Sequence, residues 1–508
     1  MAFLNTSQNG NDAITAKLGL STGSEASSVR SLLNNENRST MKYISTRGEA
    51  PALSFCEAVL SGLARDGGLY VPETWPQLSA TEIADFAGRP YADIAYKVIH
   101  PFVDGEIADA DLKKMVDDAY ATFHHPAVAP LVQVDTNEFV LELFHGPTLA
   151  FKDVAMQLLS RLMDHVLGKI DARATIVGAT SGDTGGAAIE AFKGRSNTDI
   201  FILFPNGRVS DVQRRQMTTV GDANVHALAI EGNFDDCQAI VKSMFTHLEF
   251  RDRVALAGVN SINWGRIVAQ IVYYFTAAAA LGGPNRPVTF TVPTGNFGDI
   301  FAGYVAKKMG LPIDRLVIAT NRNDILARTL ESGRYQGDGV EKTISPSMDI
   351  QVSSNFERLL FDVHNQDGAT IRSLMENFKQ SGSFELANEP FNKILADFDA
   401  ERASEQETSS EISKTHKDAG YLLDPHTAVG RVVANKTCPD APIMVTLGTA
   451  HPAKFPDAVK AASGVYPALP DWMGDLMDRE ETFTVLPNDT SAVEAYIKKH
   501  SRAVKAES

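Results

Sequence analysis

Cysteine is scarce: Cys56, Cys237 and Cys438 are the 3 in a chain of 508 residues, they lie far apart, and no CxxC pair occurs. That excludes a disulfide framework and a cysteine zinc site, no metal is expected, and a reducing cytoplasm fits best. Basic runs are missing too, with 47 Lys and Arg against 63 Asp and Glu, a formal net charge of −16. Without a phosphate-backbone footprint, nucleic acid is set aside as a partner. Long apolar runs are also absent. The longest, "IVAQIVYYFTAAAALGG" from Ile267, is broken by a glutamine and two tyrosines and is too short to span a membrane, so it reads as a core helix. Residues 1–40 are rich in Ser, Asn and Gly and poor in large apolar side chains, so a disordered tail is expected. Only Arg30 and Arg38 stand there against Asp12, Glu25 and Glu36, which is unlike a transit peptide.

What remains is an ordinary globular composition, 44% hydrophobic and 22% charged, long enough for two or more cores. From Met41 to about Phe123 the pattern is mostly helical, as in "DADLKKMVDDAYATF" with apolar residues at helical spacing. After it, the β-branched runs "EFVLELF", "ARATIVGAT", "DIFILFP", "NVHALAI", "RPVTFTVPT", "RLVIAT" and "APIMVTLG" alternate with helical segments. This alternation predicts an α/β fold of two open, mostly parallel sheets flanked by helices. The stretch from about Asp362 to His416 reads as helical, charged surface without chemistry.

Two glycine-rich loops follow predicted strands. In "ATIVGATSGDTGGAAIEAF" the residues Ser181, Gly182, Asp183, Thr184, Gly185 and Gly186 separate a strand from a helix, a setting that suits a carboxylate or phosphate. A tight turn with glycines for steric reasons alone is the competing reading. The arrangement repeats at Thr294, Gly295, Asn296, Phe297 and Gly298, which strengthens the anion-cradle reading. Neither loop is a Walker A or a dinucleotide GxGxxG. Gly182-x-Thr184-x-Gly186 is similar to a nucleophile elbow with threonine in the serine position, a rare choice of nucleophile.

Lys152 is the other unusual residue. If Thr148 caps the helix through "LAFKDVAMQLLSRLM", Lys152 lies in or just after the first turn, among Leu149, Phe151 and Val154. The helix dipole and the apolar neighbours both disfavour an ammonium there, so its pKa should fall below the ~10.4 of a free lysine. A neutral amine is a nucleophile, as a Schiff-base lysine must be, and Asp153 suits the helix start. The alternative is a lysine that snorkels or pairs with an acid.

Six segments in this order, "FHGPTLAFKD", "ATSGDTGG", "VPTGNFGD", "SINWGRI", "LLDPHTAVG" and "GTAHPAKF", resemble threonine synthases of the long bacterial and fungal type. The resemblance runs from about Met41 to the C-terminus. It implies pyridoxal 5′-phosphate (PLP) as cofactor, PLP fold type II of the tryptophan-synthase-β-like kind, and a helical N-terminal domain. The expected divisions are a tail at 1–40, a mainly helical domain at 41–130, and a smaller α/β domain at 131–270 with the PLP lysine and substrate loop. A larger α/β domain with the PLP-phosphate loop follows at 271–470, and a C-terminal extension at 471–508.

Residue by residue, the resemblance implies that Lys152 binds PLP covalently. Gly295, Asn296, Phe297, Gly298 and Asp299 hold the cofactor, and Thr449 faces the pyridine nitrogen. A hydroxyl there makes the ring a weaker electron sink than a carboxylate would, favouring elimination and replacement over transamination. Ser181, Gly182, Asp183 and Thr184 cradle the substrate carboxylate, although many relatives carry Asn at the position of Asp183. The implied reaction turns O-phospho-L-homoserine and water into L-threonine and phosphate. Arg266 and Lys454, with Asn263 as a neutral donor, are the candidates for the substrate phosphate. His145 and His451 receive no role. A monomer or homodimer is expected. The competing readings are a PLP lyase of the same fold that releases a 2-oxo acid, and a non-catalytic phosphate-binding protein.

Overall fold

Two mostly parallel sheets organise the chain. The structure is a computed structural model that describes residues 41–504, so the tail expected over residues 1–40 lies outside the described residues. The larger sheet has six strands in the order Phe398–Arg402, Ile313–Thr320, Val288–Pro293, Met444–Gly448, Glu138–Glu142 and Leu131–Gln133. All neighbours in it are parallel except the last pair. The smaller sheet has five strands, Thr484–Pro487, Val225–Glu231, Thr198–Pro205, Ala174–Ala179 and Leu256–Ala257, parallel throughout. Every residue of Thr198–Pro205 and of Val288–Pro293 is buried, as expected of strands covered by crossover helices on both faces.

All seven runs read as strands from the sequence are strands here. The sheets nevertheless cut across the expected domain boundaries. Glu138–Glu142 pairs with Met444–Gly448 in the larger sheet, so the region expected as the smaller domain from residue 131 gives two strands to the larger one. The expected C-terminal extension supplies Thr484–Pro487 as an edge strand of the smaller sheet. Both are pairings between distant parts of the chain, which local hydrophobic periodicity does not encode. The charged stretch expected to be helical contains the helices Gly368–Ser381, Asn388–Asp397 and Glu405–Ala419. It also holds the strands Ser383–Glu385 and Phe398–Arg402.

The long apolar run forms the helix Trp264–Ala280, almost entirely buried, and it joins one continuous core with the helix Lys152–Lys169 and side chains from both sheets. At its start Trp264 meets Tyr43, Trp75 and Phe102 at ring-centroid distances of 5.9, 6.3 and 5.8 Å. Contacts of this kind contribute about 0.5–1.5 kcal/mol each beyond buried area, and they hold the N-terminal region, through the strand residue Tyr43, Trp75 and the helix Tyr91–Val103, against the element that carries Arg266. Among the described residues no helix is long and apolar enough to cross a membrane. None of their His, Cys, Asp and Glu side chains form a group able to hold a metal ion.

Candidate active site

A cavity of about 410 Å³ opens where strands of both sheets end. Thr180 and Ser181 follow Ala174–Ala179, Thr294 to Phe297 follow Val288–Pro293, and Thr449 and Ala450 follow Met444–Gly448. Carboxyl ends of parallel strands are where open α/β sheets leave room for ligands.

Lys152 lies in its wall and is itself the first residue of the helix Lys152–Lys169. Thr148 does not cap that helix, contrary to the reading from sequence. Its N–H and hydroxyl both donate to the Asp153 carboxylate, at 2.8 and 2.6 Å, so Thr148 fixes the turn while Phe151 occupies the cap position. Phe151 N–H donates to Thr449 O at 2.9 Å, tying the lysine helix to the larger sheet. Lys152 Nζ sits 4.6 Å from the Phe151 ring centre and 3.5 Å from Asp183 Oδ2. Burial pulls its pKa down, Asp183 opposes, and the cations Lys454 and Arg266 add to the fall.

Asp183 begins the helix Asp183–Phe192 and is buried. Burial alone would raise its pKa, but Lys454, Lys152 and a hydrogen bond from Gln213 outweigh it and hold the carboxylate well below the usual range. Asp183 Oδ1 accepts from Gln213 Nε2 at 2.8 Å and lies 3.0 Å from Lys454 Nζ, while Oδ2 accepts from Ser347 Oγ at 3.4 Å. Ser181 and Thr184 line the cavity beside it, whereas Gly182 does not. Gly182 has φ +149°, and a Cβ there would lie 2.6 Å from Gln213 Nε2. Its lack of a side chain lets Gln213 reach Asp183.

The second loop borders the cavity along its whole length. Gly295, Asn296, Phe297, Gly298 and Asp299 all line the cavity, and Phe297 takes a left-handed conformation, φ 62°, just before the helix Gly298–Lys308. The first N–H groups of that helix have no partner within it. A segment packed against the loop closes it from outside: Gly295 O accepts from Ser353 Oγ at 2.7 Å, and Asn296 O accepts from Asn355 Nδ2 at 2.8 Å. Asp299 Oδ1 accepts from Tyr273 and Tyr274, and its Oδ2 is buried without a partner. Burial pushes its carboxyl up to about 7, against the two tyrosine bonds.

The three candidates for the substrate phosphate part company. Arg266 lines the cavity, 4% exposed, with a weak bond from Nη1 to Val259 O at 3.4 Å and a buried Nε without a partner. Burial lowers its pKa to about 10, against a raising effect of Tyr273. Asn263 and Lys454 do not line the cavity. Asn263 caps the helix Trp264–Ala280, accepting from Gly265 N–H at 2.9 Å and donating to Val59 O at 2.8 Å. Asparagine before a helix serves the backbone first. Lys454 is buried against Thr148, Gln216 and Asp183.

Ser347, Asp349, Gln238 and Gln270 also line the cavity, and sequence reasoning missed them because they stand in no recognisable motif. His426 was within reach, since Asp424 and Pro425 before it are a helix-start signature. His426 Nε2 accepts from Ser347 N–H at 3.2 Å, so its Nδ1 carries the proton that meets Asp424 Oδ1 at 2.8 Å. That contact fixes the segment facing Asp183.

Comparison with known proteins fits this geometry. Family models described as "Threonine synthase N terminus", "Pyridoxal-phosphate dependent enzyme" and "Threonine synthase, C-terminal" match residues 42–120, 123–378 and 427–497. The threonine synthase of Pseudomonas aeruginosa is 55% identical over 467 residues, 92% of this chain and 100% of the relative. The chain belongs to the threonine synthase family. A PLP-bound threonine synthase from Brucella melitensis, solved by X-ray crystallography, is 64% identical, with a TM-score of 0.90 over 91% of this chain and 100% of that one. The yeast threonine synthase structure is 42% identical, with a TM-score of 0.87 over 91% and 99%.

Proposed function

We propose that this cavity converts O-phospho-L-homoserine and water into L-threonine and phosphate with pyridoxal 5′-phosphate as cofactor. The observation that carries the reading is Lys152, a buried amine of lowered pKa that begins a helix and lines the same cavity as the loop Gly295 to Gly298. The residues suit an aromatic aldehyde bearing a phosphate. Lys152 would hold it covalently, the helix start at Gly295 to Gly298 would take the phosphate through backbone N–H groups, and Thr449 would face the ring nitrogen. When bound, the cofactor supplies a carbonyl for the substrate amine and a ring that draws electrons from the substrate carbons.

Once free, the Lys152 amine takes protons from the substrate's Cα and Cβ and returns them to Cγ and Cα, work typically worth about 10²–10⁴ in rate. Ser181 and Thr184, at the start of the helix Asp183–Phe192, bind the substrate carboxylate. The ionised Asp183 would repel that carboxylate, so it serves the lysine instead. A phosphate leaving from Cγ carries about −1.5 to −2 charges, and Arg266 Nε is the buried donor left to receive it. Water then adds at Cβ. The finer setting we infer is a monomer or homodimer in a reducing cytoplasm, in keeping with three free, dispersed cysteines.

The direct test is incubation of purified, PLP-loaded protein with O-phospho-L-homoserine. Equal amounts of phosphate and threonine are expected, and 2-oxobutyrate in place of threonine would overturn the reading. The cradle has its own test. A Cβ on Gly295 would lie 2.8 Å from Ser347 O, and overpacking of that order costs about 1–3 kcal/mol. Gly295→Ala is therefore expected to raise the PLP dissociation constant roughly tenfold or more, measured by quenching of tryptophan fluorescence.

A further inference from the structure

Lys454 is buried beside the cavity without lining it, and its charge is taken up by the protein's own acceptors. Its ammonium has three N–H groups and three acceptors: Thr148 O at 2.7 Å, Gln216 Oε1 at 2.9 Å and Asp183 Oδ1 at 3.0 Å. The three come from the turn before Lys152, the helix Asp211–Thr218 and the helix Asp183–Phe192. Asp183 thus stands between two amines, with Oδ1 toward Lys454 and Gln213 and Oδ2 toward Lys152 and Ser347.

That geometry solves a problem the proposed chemistry creates. Lys152 must be neutral at one stage and protonated at another, so it cannot be the lasting counter-charge of a buried carboxylate. A buried acid left without a cation takes up a proton. We infer that Lys454 is a positioning residue, which keeps Asp183 ionised and aimed at the Lys152 amine whether or not that amine carries a proton. The inference rests on Lys152 being the proton-moving group of the proposed function. Asp183 favours the proton on Lys152 and Lys454 disfavours it, so the pair sets how readily the proton is taken and released. The other charged or titratable groups near this cluster are Arg266, Asp299, His426, Asp153 and His451. None of them donates a hydrogen bond to Asp183 in place of Lys454.

The test reads Lys152 directly. In the full-length protein, freed of bound cofactor by dialysis against hydroxylamine, acetic anhydride labelling of Lys152 is followed against pH by peptide mass spectrometry, which needs no turnover. Lys454→Gln is expected to move the labelling midpoint up by about one unit or more, and Asp183→Asn down by as much. Each is about a tenfold change in labelling rate at fixed pH below the midpoint. Shifts in the same direction, or none, would overturn the inference, because general loosening of the site moves both variants alike. Should Lys454→Gln not fold, Lys454→Met, which fills the same buried space without a charge, is measured in its place. An upward shift of its midpoint supports the inference, and an unchanged or lower midpoint overturns it. Failure of the wild-type protein to release phosphate and threonine would remove the proposed function without touching this measurement.

Discussion

Replacing Lys152 with alanine is expected to lower the release of threonine and phosphate from O-phospho-L-homoserine by at least about 10⁴-fold. That is the upper end of what a positioned proton-transfer group contributes, and the covalent hold on the cofactor is lost with it. Lys152→Arg is expected to fail as badly, because a guanidinium stays protonated and forms no carbon–nitrogen double bond. The fold should survive. Alanine is the best helix former, and Asp183 keeps Lys454 at 3.0 Å as its counter-charge. Thermal unfolding measured beside the phosphate assay separates loss of chemistry from loss of structure. Turnover of the folded variant within tenfold of wild type would sink the mechanism.

The second large effect belongs to Arg266. Arg266→Met should lower kcat/KM about 10²–10³-fold, as expected when a buried donor aimed at developing negative charge is removed. Stability should move the other way. Arg266 is buried with an unpartnered Nε and a guanidinium whose pKa burial has already lowered to about 10. An apolar side chain of similar length removes that desolvation cost. A higher unfolding temperature with collapsed activity is the expected pair of results. A drop in both would make Arg266 a structural residue and leave the departing phosphate without a receiver.

How much of this was legible in the sequence depends on whether a signal is local. The strands Thr198–Pro205 and Val288–Pro293 were readable because strands buried on both faces are rich in β-branched and aromatic residues. Lys152 was readable because a lysine in an apolar helix start violates the usual placement of charge. Asn263 misled because asparagine before a helix has two uses, and the cap took precedence. Lys454 misled because sequence shows a cation but not its partners, which come from residues 148, 183 and 216. Gln213, which braces Asp183, and Ser347, which His426 holds in place, depend on folded proximity and carry no pattern of their own.

The edge strand Thr484–Pro487 has a bearing on how the polypeptide matures. It pairs in parallel with Val225–Glu231, and the helix Thr490–His500 after it packs Val493 and Ile497 into the hydrophobic cluster of that sheet. On the ribosome, the strand Val225–Glu231 must therefore wait through the making of some 250 residues before its partner appears, about 13–50 s at ordinary synthesis rates. Throughout that interval Val225–Glu231 is an open border that invites foreign strands. Production of the protein should thus reward a waiting chaperone, and a stop codon ahead of residue 484 should yield inclusion bodies rather than a shorter enzyme.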